Sequence, residues 1–461
     1  MNKSLSTSTQ HASLFQTNFP PEEFSARRAK VFDQIGDEML TILQGSSQTG
    51  EFDIFRQSNE FYYLCGVEVP GAYLLLDGKN RKTILYLPGR KPQQERSEGP
   101  ILNSDDVELT KTLTGVDEVR GMEALLQDLA GVTAIYTPHS HANWGAASEP
   151  FGQPTREAYF IDKLKALCPH IEVRDLSPII SSLRLVKSPA EIDVMRFAGR
   201  LSALAVTEAM RCTKPGIMEY QLGAVADYIY LVNGARGGAY RPIIAGGANA
   251  WHGHYYRNNC ELRDGDLVLM DYAPDYSNYT SDIGRMWPVN GKYATWQREL
   301  YGFIVEYHKV LLKLIRPGVL ASQIMDETAL EMKQVLERTT FSKPCYEAAA
   351  RKTLEFRGHL SHGVGMEVHD SGNYTLKPLV PGTVFAVDPQ MWIPEEQLYI
   401  RVEDTVVVTQ DGIENLTQPA PLELDDVEKL MKEEGILQKL PPLDKVITFC
   451  ASGQIFKSVW G

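Results

Sequence analysis

Cysteine is scarce and scattered in this chain. Six cysteines in 461 residues (Cys65, Cys168, Cys212, Cys260, Cys345 and Cys450) include no CxxC pair. That excludes a zinc ribbon and argues against a disulfide framework, so the thiols read as reduced and structural. Also missing is any apolar run of the ~20 residues that a membrane-spanning helix needs. Met1 to Pro20 is polar and lacks the apolar core of a secretory signal. Excess positive charge is absent as well: 46 basic residues stand against 59 acidic ones, a net charge of −13. That argues against a general nucleic-acid binder. These absences predict a soluble cytoplasmic protein without a nucleic-acid or membrane partner.

What is present is an ordinary globular composition, 43% hydrophobic, in a chain too long for one core. Residues 1–20 read as a loose polar arm. From Pro21 to about Ser182 short strands alternate with helices. Ala72–Leu76 and Thr83–Leu87 read as strands around a turn at Asp77-Gly78, Glu118–Leu129 as a helix, Val132–Tyr136 as a strand and Glu157–Leu167 as a helix. The pattern is that of an α/β domain over residues 1–183. No catalytic constellation is visible in it, and His139 and His141 read as surface loop residues. Ser188-Pro189-Ala190-Glu191 then offers an N-cap serine, a proline at the first helical position and a glutamate at the third. This capping box starts a long helix through about Arg211 and opens a second domain, 184–420. Residues 421–461 form a C-terminal extension, with a charged helix near Asp425–Glu434 and a short apolar end.

The second domain carries a weak internal repeat. Lys214-Pro215-Gly216-Ile217-Met218 precedes one amphipathic helix and Arg316-Pro317-Gly318-Val319-Leu320 another. Each half then reaches a hairpin bearing carboxylates. Leu267–Met270 is an apolar run ending in Asp271, followed by turn residues Pro274–Asn278 and a second strand from Tyr279 to Val289. A hairpin centred between Tyr276 and Ser277 sets Asp271 opposite Asp282, with β-carbons roughly 5 Å apart. The second hairpin, Thr383–Asp388 and Leu398–Glu403, is centred between Glu395 and Glu396 and sets Asp388 opposite Glu403. Carboxylates that close repel unless a proton or a cation lies between them.

Asp271, Asp282, His362, Asp388 and Glu403 are therefore the candidate metal ligands. Four carboxylates balance two divalent cations, and oxygen-rich ligation with one imidazole suits manganese, iron, cobalt or zinc. Two such ions can ionise a bridging water near neutral pH and polarise a carbonyl, which is hydrolase chemistry. Around His362, Gly363 and Gly365 allow close backbone approach. His254 and His369 are candidates to donate to a substrate carbonyl or a tetrahedral oxyanion. Arg401 shares a strand face with Glu403 and can orient it. His252 and His359 read as surface or supporting residues.

At these residues the chain resembles the pita-bread metallopeptidases: methionine aminopeptidases, prolidases and Xaa-Pro aminopeptidases. The motifs are Cys260–Asp271, Tyr279-Thr280-Ser281-Asp282-Ile283-Gly284-Arg285, His362–His369 and Ile400-Arg401-Val402-Glu403-Asp404. Arg56-Gln57-Ser58-Asn59-Glu60-Phe61-Tyr62-Tyr63 resembles the N-terminal domain of the proline-directed members. The resemblance implies an α/β domain followed by an α+β pita-bread domain with a pseudo-twofold repeat. It implies that Asp271, Asp282, His362, Asp388 and Glu403 hold two metal ions, typically manganese. His254, His369 and Arg401 would be substrate-facing or supporting residues, and Asp388 would serve the general acid/base role. The implied reaction removes an N-terminal residue that precedes proline, in a dimer or tetramer. Prolidase is the near alternative, and a non-catalytic peptide-binding scaffold the distant one. Two departures stand out. The family has glutamate where this chain has Asp388, about 1.5 Å shorter in reach. In place of His-Gly-Leu-Ser-His this chain reads Gly358-His359-Leu360-Ser361-His362.

Overall fold

Short β-branched and leucine-rich runs in the first third of the chain pair into a mixed sheet. A computed structural model describes residues 14–37, 39–47, 54–139, 152 and 154–442. The polar arm up to residue 13, His141 and the apolar end from residue 443, with Cys450, lie outside the described residues. The first sheet holds β1 (Leu40–Gln44), β2 (Tyr73–Asp77), β3 (Lys82–Leu87), β4 (Glu118–Gly121), β5 (Ala134–Thr137) and β6 (Glu172–Asp175) in the order β4-β3-β2-β1-β5-β6. Glu118–Gly121, expected to open a helix, is instead a strand parallel to β3, and the helix begins at Met122. Pairing with a neighbouring strand overrides the local helical pattern there. Helices cover both faces. One face packs Leu125, Leu129 and Leu164 against Ile42 and Tyr86.

The other face merges with the second half of the molecule. Phe19, Tyr62, Tyr63 and Leu85 share one core with Tyr279, Val364, Met366, Ala386 and Val407. The two sheets are thereby joined by buried apolar surface.

The capping box forms as written. Glu191 N donates to Ser188 Oγ at 3.2 Å and Ser188 N to Glu191 Oε2 at 2.9 Å, opening the helix Pro189–Cys212. The second sheet contains β7 (Ile243–Gly246), β8 (Leu267–Asp271), β9 (Ile283–Pro288), β10 (Val384–Val387) and β13 (Glu403–Val408), in the order β10-β13-β9-β8-β7. β14 (Ile413–Asn415) pairs with β13, and β11 (Gln390–Ile393) with β12 (Leu398–Arg401) forms a separate hairpin.

The repeat is real at the level of single hydrogen bonds. Gly216 N donates to Leu262 O at 2.9 Å and Leu262 N returns to Ile217 O at 2.8 Å. In the second half Gly318 N donates to Leu379 O at 2.8 Å and Leu379 N to Val319 O at 2.9 Å. Both glycines have positive φ, 95° and 79°, which the tight turn requires. Each turn feeds a helix, Glu219–Val232 or Ala321–Arg338, whose third residue (Gln221 or Gln323) accepts from the backbone N–H before it. The halves meet where β13 pairs with β9, Glu403 against Gly284. The charged helix of the C-terminal extension is shorter than expected, Leu424–Leu430.

Candidate metal centre

The acids converge on the seam between the two halves. Asp271 ends β8, Asp282 precedes β9, Asp388 follows β10 and Glu403 opens β13. The first hairpin differs from expectation by one turn position. Ser277 and Asn278, at φ 55° and 63°, form a two-residue turn closed by Tyr276 and Tyr279. Asp271 therefore faces Gly284, with Asp282 two residues earlier on the same strand face. The second hairpin keeps the expected register: Val387 pairs with Asp404 and Gln390 with Arg401, setting Asp388 opposite Glu403.

Asp282, His362 and Glu403 each offer a ligand atom, and the three atoms lie within 4.8 Å of one another. His362 Nε2 is 3.3 Å from Asp282 Oδ2 and 3.9 Å from Glu403 Oε1. The histidine is carried by a loop laced onto β10, where Ala386 N donates to His362 O at 2.9 Å and Val364 N to Val384 O at 3.2 Å. Asp282 is fixed through its backbone: its N–H donates to Thr405 Oγ1 at 2.7 Å, and the same hydroxyl donates back to Asp282 O at 2.8 Å. Gly284 leaves room for Glu403. A β-carbon at that glycine would lie 3.0 Å from Glu403 Cβ and 3.1 Å from Oε2. Gly365 is demanded in the same way by Asp370 and Lys187, whereas Gly363 has ordinary contacts around it.

Asp271 and Asp388 border this triad. Asp271 is ion-paired to Arg401, and Tyr240 Oη donates to Asp271 Oδ1 at 2.7 Å and sits 2.9 Å from Asp282 Oδ1. Asp388 Oδ2 accepts from Gln390 Nε2 at 2.7 Å. Arg401 Nη1 lies 3.4 Å from Glu403 Oε2, so this arginine orients carboxylates from both halves. His369 packs against His362 with ring centroids 4.0 Å apart and planes tilted by 34°, and the His254 ring lies 6.3 Å from that of His369. His252 and His359 are exposed, and His139 lies in the loop after β5.

The electrostatics are those of an acid cluster taken out of water. Burial, and then Asp271, pushes the Asp282 carboxyl well above its usual range. Burial, and then Asp282, does the same to Glu403. Burial lowers His362. His369 is held down at about 4, first by burial and then by repulsion from His362 and His254. Both carboxylate oxygens of Glu403 are buried with no hydrogen-bond partner among the described residues. A fully buried carboxylate that accepts no hydrogen bond, with Arg401 3.4 Å from one oxygen, is ordinarily costly. Next to a second acid and an imidazole nitrogen, it fits divalent cations as the missing partners.

Sequence reasoning missed Tyr240 and Gln390. A lone tyrosine in the loop before β7 carries no periodic or motif signal. Gln390 falls between the two strands read from the sequence, Thr383–Asp388 and Leu398–Glu403, and only the β11–β12 pairing places it beside Asp388.

An antiparallel seam bearing buried acids from two related halves is a scaffold for metal ions, and comparison with known proteins places it among the metallopeptidases. Residues 193–410 match "Metallopeptidase family M24", and residues 24–137 match "Aminopeptidase P, N-terminal domain". The chain belongs to the M24 metallopeptidase family, in its aminopeptidase P branch. It is 35% identical over 421 residues to mouse Xaa-Pro aminopeptidase 3, covering 86% of this chain and 81% of the relative. It is 31% identical over 436 residues to the Xaa-Pro aminopeptidase of Escherichia coli K12, covering 89% and 97%. The solved structure of E. coli aminopeptidase P with the inhibitor Pro-Leu superposes with a TM-score of 0.77 at 28% identity, covering 90% of this chain and 99% of that one. The pita-bread architecture expected from the resemblance is the one observed. No helix among the described residues is long and apolar enough to cross a membrane.

Proposed function

We propose that this protein is a metallo-aminopeptidase that removes the N-terminal residue from peptides with proline in second position. The observation that carries the reading is the buried Glu403 carboxylate, which accepts no hydrogen bond among the described residues, beside Asp282 and His362. Asp271, Asp282, His362, Asp388 and Glu403 would hold two divalent ions, manganese first among them, with cobalt, zinc or iron as substitutes. Such ions supply Lewis acidity and a water of lowered pKa. Asp388, at the edge of the cluster, would pass the proton from the attacking water to the leaving amine. His369, kept neutral by its surroundings, and His254 would donate N–H groups to the peptide carbonyl and the developing oxyanion. Arg401 would hold Asp271 and Glu403 in place.

The domain borders we propose are 183/184 and 420/421. Peptides are the proposed partners, with a dimer or tetramer as the working form. A reducing cytoplasm suits the five unpaired cysteines among the described residues. The decisive experiment combines metal analysis with a panel of Xaa-Pro peptides in manganese, cobalt and zinc. About two ions per chain, as a paired site requires, and cleavage of peptides longer than two residues support the reading. Cleavage of dipeptides alone would make it a prolidase, and neither metal nor cleavage would make it a scaffold.

A further inference from the structure

The four acids of the cluster are not held alike. Tyr240 Oη donates to Asp271 at 2.7 Å and lies 2.9 Å from Asp282, while Arg401 pairs with Asp271 and lies 3.4 Å from Glu403. Asp271, Asp282 and Glu403 are also buried. Asp388 has neither advantage. It is half-buried, neither Tyr240 nor Arg401 bonds its carboxylate, and it lies in the joint between β10 and β11 rather than in a strand. Even its backbone tie is long, with Asp388 N reaching Leu360 O at 3.4 Å. A short side chain on such a joint, open to water, has more than one staggered rotamer within reach.

What Asp388 does have is Gln390, whose Nε2 donates to Asp388 Oδ2 at 2.7 Å. The acceptor is charged, which makes this the shorter and stronger kind of hydrogen bond. Gln390 is itself anchored. It opens β11, pairs with Arg401 across the hairpin, and its carbonyl accepts from Thr353 Oγ1 at 3.2 Å. Standing two residues after Asp388, it presents its side chain on the same face. With Oδ2 committed to the amide, Oδ1 is the oxygen left to face a cation. The Asp388 charge acts on both His362 and Glu403, which places it beside the triad.

We infer that Gln390 is a positioning residue for the metal centre. By holding Oδ2 it fixes the Asp388 carboxylate in one orientation, so that an acid one methylene shorter than the resemblance leads one to expect still serves the ions through Oδ1. Aspartate at 388 and glutamine at 390 act as a unit, and Gln390 matters because residue 388 is aspartate. This deepens the metallopeptidase reading and rests on it.

The test is a double-mutant cycle on the full chain, read by manganese titration calorimetry and by kinetics on Ala-Pro-Gly-Gly. Gln390→Met keeps the length of the side chain and removes the amide. It should weaken the looser manganese site about tenfold and lower kcat about tenfold, with KM and the thermal melt unchanged, because the lost bond is to the acid. Gln390→Leu should behave alike. In an Asp388→Glu background the carboxylate has reach of its own, and Gln390→Met should cost about twofold or less in either measure. Equal losses in the two backgrounds would make Gln390 an ordinary structural residue, and no loss in the unaltered background would leave Asp388 positioned without it. Either result overturns the assignment and leaves the peptidase reading intact. An unaltered protein that takes up no manganese sinks both, and shows it before any substitution is made.

Discussion

The Asn59 side-chain amide donates to Glu367 Oε1 at 2.6 Å, joining residues 308 positions apart. Arg56 adds to the same tie, donating to Met366 O at 3.0 Å and to Asp275 Oδ2 at 2.6 Å. The segment Arg56–Glu60 thus grips the loop that presents His369. Asn59→Ala should lower kcat/KM by about tenfold, since small misplacements of substrate-facing groups are costly. Metal content should stay unchanged. Steady-state kinetics beside metal analysis checks this, and a parallel loss of metal would mean that the cluster itself had been disturbed.

Asp370 lies next to His369 and is buried between Arg184 and Lys187, the latter at 3.0 Å. Burial alone would raise its carboxyl, but Lys187 and Arg184 outweigh that and hold it below the usual range. A depressed carboxyl stabilises the fold fully above its unfolded pKa of ~3.9, and the contribution is lost as pH falls through the folded value. Asp370→Asn leaves buried Lys187 without its carboxylate and Arg184 with Glu60 alone, and should destabilise the protein by about 3–5 kcal/mol at neutral pH. Below pH ~4 its stability should fall less steeply than that of the unaltered protein. Denaturant unfolding at a series of pH values reads both effects.

Which features were legible in the sequence follows from how far apart their causes lie along the chain. The capping box at Ser188 and Glu191 is a four-residue signal and formed as written. The Asp388–Glu403 register was legible because the turn at Pro394–Glu396 sits at its midpoint. The Asp271 hairpin was displaced because turn residues extend from Pro274 to Asn278, and composition does not mark the pair that adopts positive φ. The displacement moved the partner by two residues, which keeps the same face, so both aspartates still meet Tyr240. Glu118–Gly121 has a locally helical pattern, and its strand character comes from β3, more than 30 residues earlier. Arg184–Asp370 and Asn59–Glu367 were invisible, since no local pattern records a partner hundreds of positions away.

The displaced turn gives its own prediction. Ser277 sits at φ 55°, where a β-branched side chain is strained. Ser277→Val should destabilise the protein by about 1–2 kcal/mol relative to Ser277→Gly. Both variants lose the 2.7 Å bond from Asn18 to the Ser277 hydroxyl, so their difference isolates the backbone term. Urea unfolding of the two, side by side, measures it. Equal midpoints would place the turn elsewhere.

Asp282 and Asp388 should respond in opposite directions to the smallest possible changes. Asp282 belongs to the triad with His362 and Glu403, and Asn in its place keeps the shape but removes a charge and an acceptor oxygen. Asp282→Asn should therefore abolish turnover and reduce metal content, while the Thr405 clamp on its backbone keeps the fold intact. Asp388 stands at the edge of the cluster, held by Gln390, one methylene short of the glutamate that the resemblance leads one to expect. Asp388→Glu extends the carboxylate by about 1.5 Å toward the triad. It should preserve or raise turnover, with metal content equal or higher. Kinetics and metal analysis on both variants, with a thermal melt to confirm folding, decide the matter. Full turnover in Asp282→Asn would rule out a paired-metal mechanism, whereas collapse in Asp388→Glu would mean that the shorter acid is matched to this site and not a shortfall in it.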